Sequence, residues 1–529
     1  VADPLVIGLD SSTTATKAIA WDAAGAAVAE GRAPVALDNP RLGWFEQDPE
    51  DWRSAARAVL ADCLAGLDPA RVQGLAVSNQ RETVAFLDAE GRAVRPAITW
   101  IDERARTQVR TVPEAVGAER IHAITGRWPD LTPCLYRIAW VRENERDAFA
   151  ATRTVADVQT VLVRDLCGGP PRTGWASADP MGLFDLREKA WSAPLLAAVG
   201  LDAGRLPEPH PPGTPLGAVT AEAAAATGLP EGCPVFAGGG DGQLAGLGAG
   251  CTMPERAYVN LGTAVVSGVW SPDCLIDRGW RTEIAGQGEG YILETCLRSG
   301  TFLVNWLVER VMGAAGDPGV FDRLEAEARG LPIGSDGVMV LPYWSGVMDP
   351  HWDVDARGAI LGLSGSHGQA HLHRAILEGI TLTQAAATAA QEAATGRPVE
   401  HYVAIGGGAR SALWRQMLAD ASGRPVRVSG TVEASALGAG MIAAYGAGWF
   451  GSIEEAAAAM AGETTEVAPD PTTAERYAEL SAIHAGLYDA TAETSRRLVA
   501  FAAGHTAPGD ARATAEGASG RRASAGKAT

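Results

Sequence analysis

Residues 5–10 (LVIGLD) run apolar into an acid, four hydroxyl side chains follow (Ser11, Ser12, Thr13, Thr14), and residues 17–22 (KAIAWD) resume a second apolar segment. About 250 residues further on, residues 257–270 (AYVNLGTAVVSGVW) repeat the plan, with the small turn at Gly262 and Thr263. A strand–turn–strand unit that occurs twice at such a separation predicts two related halves facing each other across a cleft. Backbone N–H groups in each turn are free to line up on a phosphate, and Asp10 beside the first can hold a magnesium ion through water. Taken alone, an ordinary hydroxyl-rich hairpin turn explains the first equally well. At 529 residues the chain also exceeds what one hydrophobic core serves.

Between the two units lie residues 236–248 (FAGGGDGQLAGLG), an apolar run, three glycines, a single carboxylate and a run of small residues. This predicts a buried strand that delivers Asp241 to the start of a closely packed helix. A carboxylate there suits a general base within reach of a bound hydroxyl, and the alternative is a tight turn with an Asp helix cap. Residues 72–77 read as a strand with Ser78, Asn79, Gln80, Arg81 and Glu82 at its carboxyl end, where ligands sit in open α/β sheets. Arg81 and Glu82 offer a donor fork beside an acceptor, which suits vicinal hydroxyls or a surface ion pair. Trp100 is a candidate apolar wall for a sugar carbon chain, or a core residue. Residues 401–410 (HYVAIGGGAR) run a strand into three glycines and a helix start, which lets backbone approach a flat or phosphorylated ligand. The G-x-G-x-x-G spacing of a dinucleotide site is not there. Residues 431–445 read as a capped helix of small residues.

A formal charge of −19 argues against nucleic acid or an anionic membrane as partner, so phosphate would be bound by backbone amides, metal and a few placed cations. Seven scattered cysteines without a C-x-x-C pair point to reduced thiols in a cytoplasmic setting, and no stretch reaches the ~18 apolar residues of a membrane span. Residues 503–529 are Ala/Gly/Ser-rich without periodicity and are expected to be a disordered tail.

The ordered motifs resemble the FGGY carbohydrate kinases, members of the actin-like ATPase superfamily. The resemblance rests on GLDSSTT at 8–14, GWFEQDPEDW at 43–52, SNQRE at 78–82, GGGDGQ at 238–243 and NLGTA at 260–264. It continues through LPYWSG at 341–346, DARGAILGL at 355–363, GGGARSALWRQMLAD at 406–420 and EASALGAG at 433–440. It implies an α/β fold of two duplicated actin-like (ribonuclease H-like) domains around a cleft for ATP and sugar. Residues 1–250 would be the sugar-binding domain and residues 251–502 the adenosine-binding domain. By the same resemblance Asp241 is the catalytic base, Asp10 lies near magnesium, and Ser12, Thr13, Thr14 and Lys17 form the first ATP-phosphate loop. Gly262 and Thr263 form the second, and Gly407 and Gly408 fall at the adenosine pocket. Arg81, Glu82, Trp100, Asp241 and Gln243 would meet the acceptor.

The two ends of the chain point to different acceptors. GGGARSALWRQMLAD resembles xylulokinases, whereas SNQRE resembles glycerol kinases, which carry Asp-Gln adjacent where Gly242 here separates Asp241 from Gln243. The expected activity is ATP-dependent phosphorylation of a small sugar or polyol, a ketopentose by overall resemblance. The alternatives are a glycerol or tetritol kinase and, in another class, a non-catalytic nucleotide-binding sensor. The oligomeric state is left open, with a homodimer compatible.

Overall fold

Along β1 (Leu5–Ser11) every residue is buried, because the strand is covered on both faces. Leu5, Ile7 and Leu9 face one hydrophobic core and Val6 faces another, the two-residue alternation of a central strand. The chain turns at residues 12–14 into β2 (Ala15–Trp21) and β3 (Ala27–Pro34). Helix α1 (Pro49–Leu64) starts as its Asp-Pro pair predicts, with Asp48 accepting from the Glu50 N–H and Pro49 in the first turn. Strand β4 (Val72–Asn79), helix α2 (Cys134–Asn144), β5 (Pro215–Ala218), β6 (Pro234–Gly240) and helix α3 (Asp241–Gly248) are the further elements of the first half that bear on the site. The computed structural model describes residues 3–503, so the tail expected at 503–529 lies, beyond Ala503, outside the described residues.

The first sheet has the order β5-β6-β4-β1-β2-β3. Strands β1 to β3 form an antiparallel meander, β4 and β6 add in parallel, and β5 closes the edge antiparallel. The second half repeats this plan. Strands β7 (Arg256–Leu261), β8 (Val265–Ser271) and β10 (Tyr291–Leu297) form the meander, with β9 (Arg281–Ile284) added outside β10. After helix α4 (Gln369–Thr395), strand β11 (His401–Ile405) adds in parallel to β7. Helix α5 (Ala412–Ser422) leads to β12 (Val426–Ser429), again parallel, and β13 (Glu463–Val467) closes antiparallel. The resulting order is β9-β10-β8-β7-β11-β12-β13. Strand for strand the two sheets correspond, β9 being the one addition, and this is the duplication that the two turns predict.

Helix α6 (Ala434–Gly446) follows the expected boundary at residue 250 but packs on the first sheet. Leu437, Met441 and Ile442 join Val6, Trp21, Phe236, Leu244 and Leu247 in one core, with Met460 of the helix Ile453–Met460. Its start differs from expectation. Thr431 does not cap it; its hydroxyl accepts from the Glu433 N–H, and the helix begins one residue later. Helices α3 and α6 cross at backbone distance, since a Cβ at Gly248 would collide with the Ala434 carbonyl and one at Gly438 with that of Leu244.

Candidate active site

Parallel strands β1, β4 and β6 end side by side. Asp10 is in register with Ser78, and Gly240 with Asn79. That register brings Asp10, the segment 78–82 and Asp241 to one rim, where ligands of open α/β sheets bind. Each residue of the segment takes a separate partner. Ser78 donates to Asp10 Oδ1 at 2.8 Å, and Ser177 donates to Asn79 at 2.7 Å. Gln80 donates to Gln47 Oε1 at 2.8 Å, and Arg81 Nε to Asp241 Oδ1 at 3.2 Å. Glu82 Oε1 accepts from Arg281 Nη1 at 3.1 Å.

Asp241 is the first residue of α3 and does not cap it, since the capping position belongs to Gly240. Its Oδ1 accepts from both Arg81 Nε and the Gly242 N–H at 2.9 Å, whereas Oδ2 has no protein donor among the described residues. The side chain is 37% exposed, so the free oxygen opens to the cleft. Desolvation raises its pKa to about 6, with Arg81 opposing and the charges of Asp10 and Glu82 adding to the rise. Asp10 is also pushed upward by burial, against hydrogen bonds from Ser12 at 2.7 Å and from Ser78.

Behind Asp241 lies a buried charge network that the motifs do not reveal. Arg81 Nη1 reaches Glu283 at 2.6 Å and Glu294 at 3.0 Å, both in strands of the second sheet. Arg281 pairs with Glu294, and Arg127 with Asp179 and, at 2.7 Å, with Glu283. Tyr258 donates to Glu294 Oε2 at 2.9 Å. Arg81 and Arg281 outweigh burial and hold Glu294 below the usual carboxylate range, whereas desolvation holds Glu283 above it. The available signal was local: RTEI at 281–284 and Glu294 in YILETCL place charges inside apolar strands. A Cβ at Gly242 would meet the Arg81 guanidinium and the Glu294 carboxylate, so the glycine lets this network lie close against the start of α3.

Other expected residues fall in varied places. Trp100 is 38% exposed and so is not a core residue, and its indole N–H donates to Thr13 Oγ1 at 2.8 Å. Ser12 and Thr13 are half-buried and Thr14 is exposed at the first turn, while Lys17 is ion-paired with Glu433 just before α6. Gln243 is fully buried and donates to Ala176 O at 3.2 Å and Asp179 at 3.3 Å. Residues two apart on a helix lie about 200° apart, so Asp241 and Gln243 cannot share a face. Arg137 lies in α2 and donates to the carbonyls of Glu82, Thr132 and Leu131, clamping Glu82 in its left-handed conformation at φ 52°.

In the second half, Gly262 and Thr263 stand at the end of β7, parallel to β11, whose exit carries Gly406 and Gly407. Carbonyls of Gly262 and Thr263 accept from Thr301 N at 2.8 Å and Gly300 N at 2.9 Å, which braces the turn. Gly407 is exposed with open space where a side chain would be, so a ligand can approach its backbone. Gly408 instead packs under Trp414 and against Leu261, so its missing side chain serves the protein's own packing.

Sequence profiles match in the same two halves. That of the FGGY family of carbohydrate kinases, N-terminal domain, covers residues 5–248, and that of the C-terminal domain covers residues 257–447. The xylulose kinase of Lactococcus lactis subsp. lactis (strain IL1403) is 30% identical over 502 residues, 94% of this chain and 99% of its own. The glycerol kinase of Delftia acidovorans is 32% identical over 479 residues, 86% of this chain and 92% of its own. The crystal structure of xylulose kinase from Rhodospirillum rubrum superposes with a TM-score of 0.86 at 32% identity, covering 93% of this chain and 99% of that one. With duplicated sheets, rim and profiles in agreement, the chain belongs to the FGGY family of carbohydrate kinases.

Proposed function

We propose that this carbohydrate kinase transfers the γ-phosphoryl group of ATP to a hydroxyl of a ketopentose. The observation that carries the chemistry is Asp241, a carboxylate with one oxygen held by Arg81 and the Gly242 N–H and the other open to the cleft. Oδ2 takes the proton of the acceptor hydroxyl as its oxygen bonds to the γ-phosphorus, and the bond to the bridging oxygen of ADP breaks. A pKa of about 6 leaves Asp241 ionised at neutral pH while bringing its basicity closer to the task. The residues fit a magnesium ion held chiefly by the nucleotide. Asp10 accepts one hydroxyl on each oxygen, which leaves lone pairs for metal-bound water. When bound, the ion would neutralise phosphate charge; Asp10 is the residue that would hold it. Ser12, Thr13, Thr14, Gly262 and Thr263 supply two turns for phosphates, and the open backbone at Gly407 suits the adenosine.

The acceptor class rests on the end-to-end match to a xylulose kinase and on the occupation of Arg81 and Glu82. Arg81 is engaged by Glu283 and Glu294 and Glu82 by Arg281, which disfavours the direct polyol grip expected of a glycerol kinase. ADP release should be measured with D-xylulose, D-ribulose, xylitol, glycerol and erythritol. Ketopentoses are expected to give the highest kcat/KM, and preferred turnover of glycerol would reverse the assignment. Asp241→Asn should lower kcat by about 1,000-fold with nucleotide affinity nearly unchanged; near-normal turnover would remove Asp241 from its role.

A further inference from the structure

Three buried side chains join Trp100 to the first hydroxyl turn. The Trp100 backbone N–H donates to Thr83 Oγ1 at 3.3 Å, and the Thr83 hydroxyl donates to Gln80 Oε1 at 3.0 Å. Gln80 Nε2 donates to Gln47 Oε1 at 2.8 Å, and Gln47 Nε2 donates to the Thr13 carbonyl at 2.7 Å. The Trp100 indole N–H then returns to Thr13 Oγ1 at 2.8 Å and closes a ring. Every donor along the chain from Thr83 to Thr13 points the same way, which fixes both amide orientations. Gln47, Gln80 and Thr83 are buried, and Trp52 Nε1 adds a second donor to Gln47 Oε1 at 3.1 Å, so none of the three can swing freely. Buried hydrogen-bonded chains of this kind polarise one another and hold one arrangement.

We propose that this ring makes Trp100 a positioning residue for nucleotide as well as a wall for sugar, so that the two sites read one another through Thr13. The proposal rests on the kinase reading above. A sugar seated on the indole steadies the turn that meets the phosphates, and a nucleotide on the turn steadies the wall. Such coupling is reciprocal in binding. The ring joins three separate sequence motifs: Thr13 from the hydroxyl turn, Gln47 ahead of α1, and Gln80 from SNQRE.

The test uses the full chain and magnesium β,γ-imido-ATP, titrated calorimetrically without sugar into wild type, Trp100→Phe, Thr13→Val and the double variant. Phenylalanine keeps a smaller aromatic wall and removes the indole donor. Each single change is expected to weaken nucleotide binding about fivefold, the worth of one hydrogen bond. The double variant should bind no more weakly than the singles, because both remove the same bond. Trp100→Phe with wild-type nucleotide affinity, or effects that multiply in the double variant, would overturn the coupling. Should Trp100→Phe fail to fold, Thr13→Val carries the test from the other end: the sugar KM should rise about fivefold, and an unchanged KM would overturn the coupling. Failure of the wild type to bind the analogue at all would instead sink the kinase reading, a separate outcome.

Discussion

Asp241 must be ionised at neutral pH yet accept a proton from an alcohol, and its surroundings pull in both directions. Desolvation raises it to about 6 and Arg81 restrains the rise. The acting form is the carboxylate, so kcat/KM should fall as pH drops through about 6 and reach a plateau above it. Arg81→Gln removes the restraining charge, so the acid limb of the pH profile should move to higher pH; an unmoved limb would mean that Arg81 does not bear on the base. That Asp10, Arg81 and Asp241 come to one rim was legible in the sequence because each lies at or just past the end of a buried strand, and strand ends are predictable from apolar runs. The burial of Gln243 was not legible, because closeness in sequence to Asp241 does not specify a helix face. Glu283 and Glu294 were missed because their partner Arg81 lies about 200 residues away and no local pattern announces it.

Helices α3 and α6 show what a run of small residues accomplishes. Their backbones meet at Gly248 and Gly438, and Ser435 of α6 donates to the Asp241 carbonyl at 3.0 Å, so this crossing also steadies the turn that carries the base. Gly438→Ala forces a methyl group against the Leu244 carbonyl and should cost about 1–3 kcal/mol, read as a lowered urea midpoint. A midpoint equal to wild type would show that the helices separate at little cost. The sequence signalled tight packing in both helices but not that they pack on each other. Periodicity says which residues are buried, and the choice of neighbour depends on how the whole chain is routed.

Between the two halves the charge network acts as a shared floor. Arg81, Arg127 and Glu82 come from the first half, and Arg281, Glu283 and Glu294 from β9 and β10 of the second. All are buried, so removing one partner leaves charge without compensation in a dry setting. Arg281→Ala should therefore destabilise the protein by about 3–5 kcal/mol in denaturant unfolding, whereas loss of an exposed pair such as Arg476 with Glu479 should be nearly silent. The duplicated architecture itself was legible from two turns, but the return of α6 to the first sheet was not, because nothing in a helix of small residues says which sheet it covers. That return has a consequence for how the protein is made. One wall of the first core, against Val6, Trp21 and Phe236, is supplied by residues beyond 433, so it arrives only when most of the chain has left the ribosome. Until then the first half carries an uncovered apolar face, and its completion depends on contacts of very long sequence separation, the slow and aggregation-exposed kind. The face of β1 that carries Val6 is therefore completed only once residues 434–460 are made, while its other face packs on residues before 250.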